Sequence, residues 1–248
     1  MIKANARNKL TAEDIEFIGS TLGRNQNARA AVTALVSSPE ERDKILDAPE
    51  LFERILTDAS MSHISPFLYF YVLIRHVLQE FSIEDREVAD YLASMLTEFS
   101  KVNRIHMISQ YHQKQYRYLV DLLNDLLDAD PEQEFYIQSH VGNYSMFLAG
   151  VFPDFIYYRA KYGKMAPDFS YYEQMGSAGY QQAARNRLAE RWHLARILEI
   201  LGTHFRQVRL ALNHMVDHYM QLNRNPQSMD AMMRRVQSFI DDRKRFTG

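Results

Sequence analysis

Apolar residues recur at helical spacing along most of the chain, and the longest uninterrupted pattern covers residues 188–222. A helix over this segment would be about 50 Å long at 1.5 Å per residue, with one apolar side. A helix of that kind commonly forms the centre of a bundle, or a dimer surface. The pattern therefore predicts an all-α fold, a multi-helix bundle with a long C-terminal spine helix. The apolar side consists of Leu194, Ile197, Leu198, Leu201, Phe205, Val208, Leu212, Met215, Tyr219 and Leu222.

Prolines mark the starts of several predicted helices. A helix-capping residue stands directly before proline in Ser38-Pro39, Ser65-Pro66, Asp130-Pro131 and Asn225-Pro226. Proline fits the first turn of a helix, where its missing N–H would be unpaired in any case. No hairpin dipeptide and no clear alternating pattern favours strands. The predicted helices lie near residues 11–22, 27–37, 39–47, 49–58, 66–81, 83–101, 111–128, 131–151, 153–162, 170–186, 188–222 and 226–245.

The length of 248 residues suits one large domain or two small ones. We expect a single helical domain over residues 1–248, with room for a small N-terminal helical subdomain at residues 1–60. The 29 basic and 31 acidic side chains leave a net charge of −2. A dedicated nucleic-acid-binding protein usually carries a strong basic excess, so this balance disfavours nucleic acid as a partner.

The chain contains no cysteine, which excludes disulfides, zinc ribbons, thiolate nucleophiles and iron–sulfur clusters. The first residues carry charge but no apolar segment of the kind found in secretory signals. The longest apolar run, from Phe67 to Ile74, is far shorter than the ~20 residues that cross a bilayer. By elimination, we expect a cytoplasmic protein that does not enter a membrane.

Four residues of the segment 188–222 are candidate metal ligands. Glu190 and His193 have the Glu-x-x-His spacing of di-iron bundles, and His214 and His218 lie four residues apart. The di-iron motif lacks its second half, because no other histidine follows a glutamate at this spacing. The segment His214-Met-Val-Asp-His218 lacks the glutamate that zinc proteases place next to the first histidine. We therefore predict that these histidines border a packed helix face, and that the protein has no metal and no cofactor.

His140 lies in the middle of the apolar pattern of the helix after Pro131. A polar side chain at such a position must find a hydrogen-bond partner. One interpretation is a buried histidine that fixes the packing of its helix. The other is one wall of a polar ligand pocket, whose candidate residues are His140, Asn143, Tyr144 and Tyr172.

Residues 157–187 combine tyrosines with basic residues, a mixture found both in phosphate-binding surfaces and in half-buried interface helices. The near-neutral charge of the whole chain favours the second interpretation. Gly176 and Gly179 lie within this helical pattern, where each glycine costs about 1 kcal/mol relative to alanine. Close approach of another helix would explain both glycines.

Two segments resemble uncharacterised bacterial all-helical proteins: residues 147–155, Phe-Leu-Ala-Gly-Val-Phe-Pro-Asp-Phe, and residues 171–180, Tyr-Tyr-Glu-Gln-Met-Gly-Ser-Ala-Gly-Tyr. The resemblance covers less than a quarter of the chain. It implies a bacterial source and a helical fold, and it implies no activity.

These observations favour a non-enzymatic helical scaffold or protein–protein interaction protein that forms a homodimer. The reasons are the absence of a complete catalytic motif and the many aromatic side chains, which can anchor an interface. The alternative is a helical small-molecule-binding protein or enzyme with a pocket near His140 and Tyr144.

Overall fold

A computed structural model describes residues 1–57, 64–100, 107–109, 112–115, 119–162 and 167–220. The predicted all-α class is confirmed, because the described chain is helical apart from one two-stranded hairpin. The α-helices are α1 (Ala12–Leu22), α2 (Gln26–Val36), α3 (Pro39–Leu46), α4 (Pro49–Thr57), α5 (Pro66–Glu80), α6 (Arg86–Phe99), α7 (Leu119–Asp125), α8 (Pro131–Val151), α9 (Pro153–Tyr162), α10 (Phe169–Ala184), α11 (Arg187–Arg191), α12 (Ala195–Thr203) and α13 (Phe205–His218). Single 3₁₀ turns occupy Ala6–Lys9 and Leu126–Asp128.

The chain forms two compact units, one of residues Ile2–Thr97 and one that contains Glu98–Gly248. Residues on both sides of position 60 belong to the first unit. The single helical domain expected from the sequence stays a prediction, as does its small N-terminal subdomain.

The predicted helix starts are confirmed at five prolines, each at the first position of a helix (α3, α4, α5, α8 and α9). The Ser65 side chain accepts the Leu68 N–H, and Asp130 forms a reciprocal capping box with Gln133. These contacts satisfy backbone donors that have no partner within the helix. The helix predicted at 226–245 lies outside the described residues.

The segment predicted as one helix over residues 111–128 is instead a strand followed by shorter helical pieces. Strand β1 (Met107–Ser109) pairs antiparallel with β2 (His112–Gln115), and α7 begins only at Leu119. The prediction was wrong over 112–115, where His-Gln-Lys-Gln offers a helix no apolar side to bury.

The long spine helix predicted over residues 188–222 is also wrong, because the described part of this segment is three helices. α11 ends in a Schellman motif: His193 has a φ of 55°, and the Leu194 N–H donates to the Ala189 carbonyl over 2.7 Å. A second break falls at His204, between α12 and α13. The apolar pattern continues through both breaks because Leu194, in the first turn, and Phe205, the first residue of α13, are both buried.

Asp14, which is buried, and Asp47, which is half-buried, join the elements of the first unit. Asp14 accepts the backbone N–H groups of Thr11 and Ser65. Asp47, just after α3, accepts both Arg75 from α5 (3.0 and 3.2 Å) and Arg86 from the start of α6 (2.6 and 3.1 Å). One carboxylate therefore connects three helices, and two guanidinium groups compensate its loss of hydration.

The second unit is built around α8, which is buried on nearly every side from Ser139 to Val151. The apolar pattern around His140 therefore marks only part of the surface that this helix buries. α10, α12 and α13 pack closely because glycines leave room for neighbouring side chains: Gly142 lies against the Tyr180 ring, and Gly176 against Phe205. The predicted close approach at Gly176 and Gly179 is confirmed.

Candidate functional site

His140 lies inside the second unit, as its position in the apolar pattern predicts. Only 5% of its surface is exposed. Its ring centroid is 5.9 Å from that of Phe99, which meets it edge-on, and 6.3 Å from that of Tyr144, one helical turn away. The predicted burial of His140 is confirmed, and its surroundings are largely aromatic.

Asn143 has a partner that the sequence did not single out. The Tyr180 hydroxyl, on the neighbouring helix α10, donates to Asn143 Oδ1 over 2.9 Å in a buried hydrogen bond. Tyr180 is fully buried, and its ring occupies the space that a side chain at position 142 would take. The sequence signal that could have revealed it is Gly142, next to Asn143, because a glycine within a helix often admits a large neighbour.

Tyr172 is buried as well, but it lies away from the other three predicted pocket residues. Gly142 faces Tyr180 and Ser145 faces Gly176, so α8 and α10 run antiparallel. This register places Tyr172 beside the stretch of α8 near Ala149, roughly 13 Å along the helix axis from His140 at 1.5 Å per residue. Burial raises the pKa of Tyr172, and nearby Arg159 partly offsets the increase. The structure thus groups His140, Asn143 and Tyr144 with Tyr180.

The candidate metal ligands do not form one site. Glu190 is exposed on α11, whereas His193 lies in the turn after it, so the Glu-x-x-His spacing falls on no continuous helix. His214 and His218 stack at a centroid distance of 4.0 Å, and His218 Nδ1 lies 3.1 Å from the His214 carbonyl oxygen. Within the described ranges, no group of three or more His, Asp or Glu side chains could hold a metal ion.

The aromatic and basic residues of 157–187 separate into a buried set and an exposed set. On α10, Tyr172 and Tyr180 are buried. On α9, Tyr157, Tyr158 and Tyr162 are 52%, 59% and 72% exposed. Ile156 is the single buried residue of α9. The phenol rings of this helix are therefore available at the protein surface.

The exposed side chains of α9 contact one another. Tyr158 and Tyr162 stack at 6.3 Å between centroids, and the Tyr157 ring meets Tyr158 edge-on at 5.7 Å. The Lys161 ammonium lies 5.6 Å from the Tyr157 centroid and 5.4 Å from the Tyr162 centroid. Such cation–π contacts hold rings and charge together in one surface.

Charge is distributed unevenly along this surface, which we call the α9 face (Asp154, Tyr157, Tyr158, Lys161 and Tyr162). Residues at i, i+3, i+4, i+7 and i+8 share one side of a helix, so these five side chains do so. The carboxylate lies at the first turn and the ammonium at the last turn, with Tyr157 and Tyr158 between them and Tyr162 next to Lys161.

No described helix is long and apolar enough to cross a membrane. Comparison with protein-family models gives no match to this chain. Comparison with curated proteins gives none. Comparison with solved structures gives none either. A functional assignment therefore rests on the chain's own residues, and the α9 face and the surroundings of His140 are the two candidate sites in the second unit.

Proposed function

We propose that this chain is a non-enzymatic helical interaction protein that forms a homodimer through the α9 face. The observation that carries the proposal is the set of three exposed tyrosines in mutual contact on a helix with one buried residue. Tyrosine combines a large apolar ring with a polar hydroxyl and is enriched among the residues that dominate interface energetics. The cytoplasmic location and bacterial source expected from the sequence belong to this proposal.

The distribution of charge favours a second copy of the chain as the partner. In a two-fold symmetric contact the same surface meets itself, so the surface must be complementary to itself. Two α9 helices packed antiparallel would bring Asp154 of each copy next to Lys161 of the other. Tyr157 and Tyr158 would meet in the centre, and Tyr162 would lie beside the charge pair at each end of the contact.

The size of the face sets the strength of the contact. Stable interfaces bury about 800 Å² on each partner, and smaller ones are transient. A helix of ten residues offers less than that area. The dimer is therefore weak and reversible, with a Kd on the order of 10–100 μM, equivalent to about −7 to −5.5 kcal/mol.

Sedimentation equilibrium over a range of concentrations tests the proposal. The wild-type mass should rise from monomer to dimer across the Kd, and Tyr158→Ser with Tyr162→Ser should remain monomeric. The matched control is Leu127→Ser, which removes another exposed apolar side chain (83% exposed) and should dimerise as the wild type does. A wild-type protein that remains monomeric at about ten times the upper Kd would disprove the homodimer.

Charge exchange tests the antiparallel arrangement itself. Asp154→Lys alone should not dimerise, and neither should Lys161→Asp, because each variant places like charges opposite each other. A mixture of the two variants should form a heterodimer, in which both charge pairs are opposite in sign. If the mixture stays monomeric while the wild type dimerises, the antiparallel pairing of α9 is wrong.

A second candidate function is binding of a small molecule beside His140, in a helical binding protein or enzyme. The observation that favours it is the pair of buried polar side chains His140 and Asn143 on one turn of α8, with the Tyr180 hydroxyl bonded to Asn143. Ligand sites are commonly apolar enclosures with a few polar groups that fix orientation. Native mass spectrometry of the purified protein would detect a retained ligand.

A further inference from the structure

His214 and His218 form a pair of side chains near the end of α13 that the proposed function does not use. They lie four residues apart, so both project from the same side of the helix. Their rings stack at 4.0 Å between centroids, with 27° between the ring planes. His218 is exposed and His214 is half-buried. The two imidazoles therefore lie together at the protein surface.

The backbone that carries the pair is held in place by another side of α13. Leu212 and Met215 are buried, and the helix packs against α8. Between the two histidines and the core, Asn213 Nδ2 donates to the carbonyl oxygens of Ala149 (2.8 Å) and Gly150 (2.7 Å) at the end of α8. Since these contacts fix the backbone, only side-chain torsions remain to be fixed when the two rings bind a ligand.

A backbone contact determines which ring nitrogen of His218 carries the proton. Its Nδ1 lies 3.1 Å from the carbonyl oxygen of His214. A carbonyl oxygen only accepts, so Nδ1 donates and Nε2 of the neutral ring keeps its lone pair. Histidines that bind metals commonly donate their other ring N–H to a backbone carbonyl in this way. His218 therefore presents a nitrogen ligand at an exposed position.

We propose that His214 and His218 bind one divalent transition-metal ion of the kind that prefers imidazole nitrogen: copper(II), nickel(II) or zinc(II). Two histidines at this helical spacing hold zinc in metalloproteases. The glutamate that is missing beside His214 is the general base of those enzymes and not a metal ligand, so its absence leaves both nitrogen ligands intact.

The number of ligands sets the strength of binding. Among the described residues, no third His, Asp or Glu side chain completes the set. The other coordination positions are therefore open to water or to donors from another molecule. An ion held by two side chains exchanges readily, so a protein purified without metal still binds one that is added.

The stacked rings must open to share an ion. A metal ion lies about 2.0–2.1 Å from each histidine nitrogen, which places the two nitrogens about 3 Å apart. It also lies in the plane of each ring, so two stacked rings must tilt towards each other. Rotation about the Cβ–Cγ bond provides this tilt at little cost, because that torsion is broad for histidine. The movement is small because the rings are already in contact.

Isothermal titration calorimetry tests the site in a neutral buffer that does not bind metals. Copper(II), nickel(II) and zinc(II) chlorides would each be added to the wild type, His214→Gln and His218→Gln. Each substitution should weaken binding by about 10–100-fold or more, since loss of a side chain that merely supports a metal ligand already costs that much. Copper(II) should bind most tightly, and magnesium, which prefers oxygen ligands, should not bind.

The matched control is His204→Gln, which removes another exposed histidine, at the start of α13, and should bind metal as the wild type does. Equal affinities in the wild type, His214→Gln and His218→Gln would overturn the proposal.

Pulsed electron paramagnetic resonance identifies the ligands directly. With less than one equivalent of copper(II), only the tightest site fills. The wild type should then show modulation from two imidazoles, and His214→Gln and His218→Gln should each show modulation from one. Circular dichroism should show that both variants keep the helix content of the wild type. A wild-type spectrum with a single imidazole would place the ion elsewhere and overturn the site, whatever the variants do.

Discussion

The two compact units bury their polar side chains by different means. In Ile2–Thr97, carboxylates and guanidinium groups bond across helices, as Asp47 does with Arg75 and Arg86. In the described part of the second unit, Asn143 and Tyr180 form a buried, neutral pair, and glycines set the helix spacing. One ion pair is nearly buried there, Arg209 with Glu173 at 2.8 Å.

This contrast shows which changes each unit should tolerate. A network of charges fixes partners by chemistry, and removing one member leaves another charge without compensation. Where two helices pack closely at a glycine, the shape of their surfaces determines how they fit together. A larger side chain at the glycine position then has no space to occupy. The first unit should therefore be sensitive to loss of charge and the second to gain of volume.

Asp47→Ala should have the largest effect. It leaves Arg75, whose side chain is 3% exposed, without its bidentate carboxylate. Loss of one partner of a buried pair costs about 3–5 kcal/mol, measured as the free energy of unfolding in urea. The matched control is Glu41→Ala, which removes an exposed ion pair with Lys44 and should change stability far less. Equal effects of the two variants would show that burial does not distinguish these pairs.

His140→Ala should have an intermediate effect. If His140 has a structural role, the loss of its polar group costs about 1–3 kcal/mol, with a further contribution from the cavity. If His140 binds a ligand, the melting temperature should stay nearly unchanged while a co-purifying molecule disappears from the native mass spectrum. Thermal denaturation and native mass together distinguish the two roles. A variant unchanged in both measurements would exclude both.

Gly179→Ala should have the smallest of the three effects. A Cβ there would lie 2.8 Å from the Gln138 carbonyl oxygen and 3.0 Å from the Gly142 nitrogen, both backbone atoms of α8. The overpacking costs about 1–3 kcal/mol, and the better helix propensity of alanine returns up to about 1 kcal/mol. Urea denaturation measures the net loss.

Gly19→Ala in α1 is the control from the other unit, where the nearest atom to an added Cβ is a side-chain oxygen, Thr33 Oγ1 at 3.2 Å. This variant should be neutral or slightly stabilising. If it destabilises the protein as much as Gly179→Ala does, the contrast between the units is wrong.

Helix starts could be predicted from the sequence more reliably than helix ends. Asp130 with Gln133 and Thr11 with Asp14 form capping contacts within three residues of chain, at the starts of two predicted helices. The end of α11 was missed because its left-handed residue is His193, where glycine is usual. α5 ends in the same way at Ser82, so the helix predicted from residue 83 begins later, at Arg86, where Asp85 caps it.

The features of the candidate sites also differ in whether a local sequence pattern could predict them. The burial of His140 followed from its place in an apolar pattern, and the aromatic–basic content of α9 could be read directly. The Asn143–Tyr180 bond spans 37 residues, and in the first unit the hydrogen bond from the Arg7 backbone to Asp90 spans 83. No local pattern encodes a pairing of that range.

By itself, the sequence determined the helical class, the proline-capped helix starts and the glycines that admit a neighbouring helix. Each of these depends on residues within one or two turns of one another, where backbone geometry and capping act. The tertiary structure alone decided that the apolar segment 188–218 breaks twice, that α8 is buried nearly all round, and that Tyr71 lies among charges. Those outcomes depend on which distant side chains compete for the same buried space, and packing settles that competition only once the chain has folded.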